Sequence, residues 1–260
     1  MGACTGRLHR TPALKRAVCS RLGTRPGMSR WTMPQNHMQG IAMSWESFEH
    51  GWRLAPADAP ARALVVLLHG VGSNAQDLVP LADAWRGSLP QDVAWASLDG
   101  SEPFDGGFGG RQWFSLRDID ETRRGERVAA AWPALERMLR AELAHWGLQG
   151  FGQLALVGFS QGSIMSLYHA ATHDEGAMAV VAYSGRLAVP ITAHSRTPLT
   201  LVHGVEDGVI PIAELERAAN AFSDAGFAVG AYALPGVGHT ISSQGAVLGR
   251  DALARAFSAL

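Results

Sequence analysis

Ser160 stands between two glycines in the pentapeptide Gly158-Phe159-Ser160-Gln161-Gly162. The apolar run Leu154-Ala155-Leu156-Val157 leads into it, and a helical pattern from Gln161 to His173 leads out. A sharp strand-to-helix turn of this kind leaves a hydroxyl exposed, because small flanking residues let a strained backbone bend. The following helix aims its N-terminal amides, with their partial positive charge, at the same place. The chemistry that suits such a serine is nucleophilic attack on an acyl carbonyl. Because G-x-S-x-G arises readily by chance in a chain with 30 glycines, the reading rests on the strand–turn–helix context. An ordinary tight turn is the alternative.

A serine hydroxyl is a weak nucleophile at neutral pH and needs a base to take its proton. Where the nucleophile sits on such a turn, the partners follow it in the order acid, then histidine. Asp207, in Val202-His203-Gly204-Val205-Glu206-Asp207, lies a few residues past a strand-like run, and His239, in Pro235-Gly236-Val237-Gly238-His239-Thr240, lies past the next. Glu206 is the rival acid. Among the histidines, His69 and His203 end strands and precede glycine, and His169 and His173 lie on the helix after Ser160. These read as loop or capping residues. His9, His37 and His50 are too near the N-terminus, His194 precedes the acid, and His145 reads as a helix-surface residue. A tetrahedral intermediate also needs two donors for its oxyanion. The expected ones are the backbone N–H groups of Gln161, directly after the nucleophile, and of Val71, in His69-Gly70-Val71-Gly72-Ser73, whose glycines let the main chain come close to substrate. One such donor is typically worth ~3 kcal/mol in the transition state. The side chains of Gln161 and Val71 are expected to matter much less than their amides.

These groups need a scaffold that brings strand ends together, and the remaining pattern supplies one. Ala63 to Leu68 is a continuous apolar run of the kind buried on both faces of a parallel sheet. Residues 76–87 read as a helix, with Leu78, Leu81, Ala82 and Trp85 on one face. Val93 to Ser97 is a short strand, and Asp105 to Gly110 a glycine-rich loop. Residues 122–146 carry Val128, Trp132, Leu135, Leu139 and Leu143 at helical spacing, with Pro133 expected to kink or interrupt them. Strands at 179–183, 199–202 and 227–234, a helix from Pro211 to residue 224, and a closing helix over 245–259 complete the alternation. Strand–helix alternation of this length predicts an α/β fold with a mostly parallel central sheet and helices on both faces. In such sheets functional residues gather at the carboxyl ends of strands, where Ser160, Asp207, His239 and the Val71 loop all fall.

With these residues in place, the chain from about residue 60 to 260 resembles the phospholipase/carboxylesterase family of α/β-hydrolases, which includes the acyl-protein thioesterases. Leu68-His69-Gly70-Val71-Gly72, Arg111-Gln112-Trp113-Phe114, Gly158 to Gly162, and Asp207-Gly208-Val209-Ile210-Pro211 with Gly238-His239-Thr240-Ile241 carry the resemblance. It implies the α/β-hydrolase fold, no cofactor, and activity on carboxylic esters, lysophospholipids or S-acyl groups. It also implies a catalytic Ser160, Asp207 and His239, and it favours Asp207 over Glu206. Trp113 and Phe114 are candidates for the acyl pocket, with ordinary core packing as the alternative. The chain departs from the family's habits at Ser73 and Ser115, where Asp is frequent, and at Ser163, where Gly is common. These positions border the acyl pocket, so they bear on substrate subclass.

The bulk properties bound the rest. The chain has 260 residues, 47% apolar and 17% charged, and a formal net charge of −1. That describes an ordinary globular protein with no general attraction to nucleic acid or anionic membranes. Cys4 and Cys19 build neither a disulfide framework nor a zinc site, and no other His/Cys cluster has metal-ligand spacing. Residues 1–43 contain no Asp or Glu but are rich in Arg, without a secretory apolar stretch. They read as a disordered or artefactual N-terminal extension, with a transit peptide as the alternative. Met28, Met33, Met38 and Met43 are possible initiators, and residues 44–260 are expected to form a single domain. No run approaches the length of a membrane span. The expected protein is therefore a cytoplasmic serine carboxylesterase that takes a small-molecule ester without metal or cofactor, its oligomeric state left open. A short- to medium-chain preference is expected because no apolar lid insertion is visible. Competing readings are a thioesterase or lysophospholipase and, more distantly, a non-catalytic binding module on the same scaffold. A dienelactone hydrolase would carry Cys in place of Ser160.

Overall fold

The computed structural model describes residues 44–58, 60–107 and 109–259. The extension expected over residues 1–43 lies outside the described residues. The elements run β1 (Glu46–Phe48), β2 (Gly51–Leu54), β3 (Ala63–Leu68), α1 (Val79–Arg86), β4 (Val93–Leu98), β5 (Glu102–Pro103), β6 (Arg111–Gln112) and α2 (Glu121–His145). They continue with β7 (Leu154–Phe159), α3 (Gln161–Thr172), β8 (Ala179–Tyr183), β9 (Leu199–Gly204), α4 (Ala213–Asp224), β10 (Val229–Leu234) and α5 (Ser243–Phe257). Eight strands form one sheet in the order β1-β2-β4-β3-β7-β8-β9-β10. From β4 to β10 every pair is parallel, while β1–β2 and β2–β4 are antiparallel. This is an α/β-hydrolase-like fold with a mostly parallel sheet flanked by helices.

Apolar continuity, not alternation, marks the central strands because both sheet faces are covered. In β3, Leu64, Val66 and Leu68 join a core with α2, α3 and α4, while Val65 and Leu67 join one with α1 and α5. All six residues of that strand are buried. A fully buried Leu or Val contributes on the order of 2 kcal/mol. The central strands are therefore rigid platforms, and their C-terminal ends hold loops in fixed relation.

Three sequence expectations change. The helix expected over 76–87 begins as a 3₁₀ turn, Ala75–Leu78, capped by the Asn74 side chain, and becomes α-helical only at Val79. Helix α2 is not interrupted: it runs 25 residues through Pro133. Proline removes one N–H and leaves the Ala129 carbonyl without its helical donor, but Ala129 and Pro133 are both exposed, so that carbonyl is not shut away from solvent. The opposite face buries Val128, Trp132, Leu135, Met138, Leu139 and Leu143 and holds the helix continuous through the gap. Third, β1 and β2 were not foreseen. Their burial patterns are mixed, and β2 is fastened from the side by Arg53, whose guanidinium lies 2.8 Å from Glu142 of α2 and 3.9 Å over the Phe48 ring. No helix among the described residues is long and apolar enough to cross a membrane.

Candidate active site

Ser160 ends the turn between β7 and α3 with φ 52° and ψ −113°. A non-glycine residue in that conformation stores roughly 1–3 kcal/mol, which only a heavily determined surrounding can hold. Here the Ser160 N–H donates to the Tyr183 carbonyl (2.9 Å) and the Gly162 N–H to the His69 carbonyl (3.1 Å). The glycines at 158 and 162 are required by crowding. A Cβ on Gly162 would lie 2.0 Å from the Leu68 carbonyl oxygen, and one on Gly158 2.5 Å from the Gly162 backbone. The turn is thus wedged between the ends of β3 and β8.

The structure brings Ser160, His239 and Asp207 into one hydrogen-bonded line. His239, in the loop after β10, has Nε2 3.0 Å from Ser160 Oγ and Nδ1 2.7 Å from Asp207 Oδ2. A carboxylate accepts and does not donate, so the proton of neutral His239 sits on Nδ1, leaving Nε2 free to accept from the serine hydroxyl. The Phe159 ring packs against the imidazole at 5.0 Å. Asp207 is buried. Its Oδ1 accepts from the Val209 and Ile210 N–H groups, both at 2.9 Å. Burial alone would push this carboxyl up, yet the hydrogen bonds from His239, Ile210 and Val209 outweigh it and hold the group below the ordinary carboxylate range. Glu206, the rival acid, is exposed, and its backbone N–H bonds to Val237.

The loop after β3 passes beside the serine: a Cβ on Gly70 would lie 3.3 Å from Ser160 Cβ. His69 shapes that loop. Its Nε2 accepts from the Gly100 N–H at 2.9 Å, so its proton is on Nδ1, 2.6 Å from the Gly70 carbonyl. Burial keeps this imidazole below the ordinary histidine pKa and neutral. In a trans peptide the N–H points opposite to the C=O, so a bond that holds the Gly70 carbonyl also sets where the Val71 N–H points. Among the described residues neither the Val71 nor the Gln161 backbone N–H has an acceptor.

Trp113 and Phe114 lie in the core behind the elbow, 1% and 2% exposed. Trp113 Nε1 donates to the His69 carbonyl at 2.9 Å. The Gln161 side chain, expected to matter little, is a buried clamp on this pair. Its Oε1 accepts from the Trp113 N–H at 2.7 Å, and its Nε2 donates to the Phe114 carbonyl at 2.6 Å. The three departures from family habit are all bonded within the protein. Ser163 Oγ lies within 2.7 Å of the Gly158 and Tyr183 carbonyls, Ser115 bonds Asp105, and the Ser73 carbonyl accepts from the Arg111 N–H. Of the remaining histidines, His169 is enclosed by Trp132, Phe151 and His173, well into α3, and His145 meets Arg53. His203 is buried beneath Asp207, a contact the sequence reasoning missed. The available signal was the repetition of His-Gly at the ends of two strands. Among the described residues no group of three or more His, Cys, Asp or Glu side chains could hold a metal ion.

The profile of the Phospholipase/Carboxylesterase family matches residues 51–247. Esterase YpfH of Escherichia coli (strain K12) is 37% identical over 191 residues, covering 72% of this chain and 80% of that protein. An acyl-protein thioesterase 1 from Gibberella zeae is 24% identical over 212 residues, covering 72% of this chain and 89% of its own length. Among solved structures, esterase PE8 superposes with a TM-score of 0.72 at 32% identity, over 78% of this chain and 97% of that one.

Proposed function

We propose, from the premise that this chain belongs to the phospholipase/carboxylesterase family of α/β-hydrolases, that it is a serine carboxylesterase working through an acyl-enzyme on Ser160. The observation that carries this reading is the line from Ser160 Oγ through both nitrogens of His239 to the buried carboxylate of Asp207. In the first half-reaction Oγ forms a bond to the ester carbonyl carbon while its proton moves to His239 Nε2. The imidazolium that forms is stabilised by Asp207, which stays ionised. The carbonyl oxygen takes up the electron pair of the broken π bond and meets the Val71 and Gln161 amides. Both lack another acceptor among the described residues, and the Gln161 amide opens a helix whose dipole favours negative charge. When the intermediate collapses, the bond to the leaving alkoxide breaks and His239 gives it the proton. Water, deprotonated by the same Nε2, then releases the acid.

No cofactor takes part in these steps. The reading includes a small-molecule ester as substrate, no nucleic-acid partner and a cytoplasmic location. Trp113 and Phe114 back the acyl site from the core side in this account, through the Gln161 clamp. Short to medium acyl chains are favoured because each further buried methylene is worth ~0.8 kcal/mol only where apolar walls surround it, and no lid insertion lies among the described residues to supply them. A thioesterase or lysophospholipase would use the same atoms. The 24%-identical acyl-protein thioesterase supports that second reading.

The test is a series of p-nitrophenyl esters of increasing acyl length, with matched thioesters, run on wild type and Ser160→Ala. Hydrolysis should be abolished by the substitution and peak at short to medium chains. Equal rates in the two proteins contradict the role of Ser160, and a rate that climbs steadily beyond ~8 acyl carbons contradicts the preference for short to medium chains.

A further inference from the structure

His203 is the last residue but one of β9 and is 2% exposed. Its Nε2 lies 2.8 Å from the Ile210 carbonyl oxygen and 3.3 Å from Asp207 Oδ2. Both atoms only accept, so the tautomer follows: Nε2 carries the proton, donates it to the Ile210 carbonyl, and sits beside the carboxylate without a hydrogen bond to it. The four residues from Asp207 to Ile210 are therefore closed from two sides. Asp207 Oδ1 collects the Val209 and Ile210 amides from within the turn, and His203 holds the turn's far carbonyl from the strand beneath. Oδ2 is the atom that meets His239. The titratable or charged groups around His203 are Asp207 and His239 on the loops after β9 and β10 and Glu214 on α4. Burial keeps His203 below the ordinary histidine pKa, so it is a neutral donor here and not a second base.

We propose that His203 is a positioning residue for the acid of the catalytic line, its Nε2–H holding the Ile210 carbonyl and with it the turn whose Val209 and Ile210 amides orient the Asp207 carboxylate, so that Oδ2 faces His239 Nδ1. The inference rests on the reading of Ser160, Asp207 and His239 given above. A carboxylate is planar, so the amides that hold Oδ1 also set where Oδ2 points, as long as the turn that carries them stays in place. With His203 bonded to the Ile210 carbonyl that turn is held, and the imidazole of His239 is presented to Ser160 without reordering. The side chain never reaches substrate, so it acts on the chemical step and not on binding.

The experiment compares kcat and KM for p-nitrophenyl acetate, and the rate of Ser160 phosphonylation by a fluorophosphonate, in wild type, His203→Phe, His203→Gln, His203→Asn and Asp207→Asn. Thermal melts accompany each protein. His203→Phe should lower kcat by ~10–100-fold, the range typical of partners that orient a catalytic ligand, with KM changed by less than about threefold and phosphonylation slowed in parallel. His203→Gln, whose Nε2–H can reach the same carbonyl, should recover most of the rate. His203→Asn, one carbon shorter, should not. A His203→Phe protein with kcat within about threefold of wild type overturns the proposal, as does a loss that appears equally in KM. If His203→Phe does not fold, the Gln and Asn variants decide: equal rates in those two overturn it. Failure of the underlying reading is separate and visible, because then Asp207→Asn would retain wild-type kcat. Loss in Asp207→Asn with none in the His203 variants sinks this proposal alone.

Discussion

Gln161 has two unrelated jobs that one residue name hides. Its backbone N–H is the amide expected from any residue at that position, and its side chain bridges the Trp113 N–H and the Phe114 carbonyl, 48 and 47 positions away. The first job is legible in the sequence because it depends only on following the nucleophile. The second is not, because nothing local says which backbone groups a buried amide will meet. Gln161→Leu leaves a buried donor and a buried acceptor unpaired, each costing about 1–3 kcal/mol. The expected loss is roughly 2–5 kcal/mol by urea denaturation, with kcat reduced because the elbow is no longer tied to residues 113–114. Unchanged stability would mean that water reaches these groups. The same limit explains the histidines. His239 follows Asp207 in chain order, which is what makes it readable as the expected base, whereas His69 and His203 read only as strand-end histidines, because their bonding partners are set by the packing of separate loops.

At the scale of elements, the buried parallel strands and the helices that cover them were readable because period and composition say the same thing. Leu154–Phe159 and Ala179–Tyr183 are hydrophobic almost throughout, and Leu199–Gly204 is fully buried although it carries Thr200 and His203. Strands β1 and β2 escaped because they have three and four residues and are only partly buried. Their place on the sheet depends on a pair 89 positions apart, Arg53 with Glu142. Burial pushes the Glu142 carboxyl above its ordinary pKa, and Arg53 pulls it back only in part. Removing the arginine leaves a carboxyl that is 3% exposed without its cation. Arg53→Met should therefore cost about 3–5 kcal/mol, and adding Glu142→Leu should restore much of it, because replacing a buried ion pair with apolar side chains is often neutral. Additive losses in the double mutant would show that the pair is not coupled. Pro133 teaches the complementary lesson: a proline costs about 3 kcal/mol even on an exposed helix face, and the buried stripe of α2 outweighs it here.

For the whole molecule, pH enters stability through a histidine far from the chemistry. His169 is 1% exposed and stacked between Trp132 and Phe151, with His173 alongside, and neither ring nitrogen has a partner among the described residues. Burial, reinforced by His173, pushes its pKa down from 6.5 to about 3. The unfolded chain therefore binds a proton near pH 6.5 that the folded chain refuses until near pH 3. Stability is full above 6.5 and is lost as pH falls through that window. At pH 5 the loss from this group alone is ~2 kcal/mol. His169→Phe should remove that part of the difference between pH 8 and pH 5 in urea denaturation. An unaltered pH dependence would place the acid sensitivity elsewhere.

The α/β scaffold and the positions of Ser160, Asp207 and His239 at strand ends were visible in the sequence, because fold class follows from alternation and the sites follow from topology. Substrate range was not, because it depends on loops whose contacts are non-local. The central claim is that Ser160 forms an acyl-enzyme, and the most direct measurement is intact-protein mass spectrometry of a rapid-quench reaction with a p-nitrophenyl ester. The account predicts a transient species heavier by one acyl group, mapped to the peptide containing Ser160, longer-lived in His239→Ala and missing in Ser160→Ala. Turnover at full rate with no acylated protein, or an acyl group mapped to another residue, would contradict it.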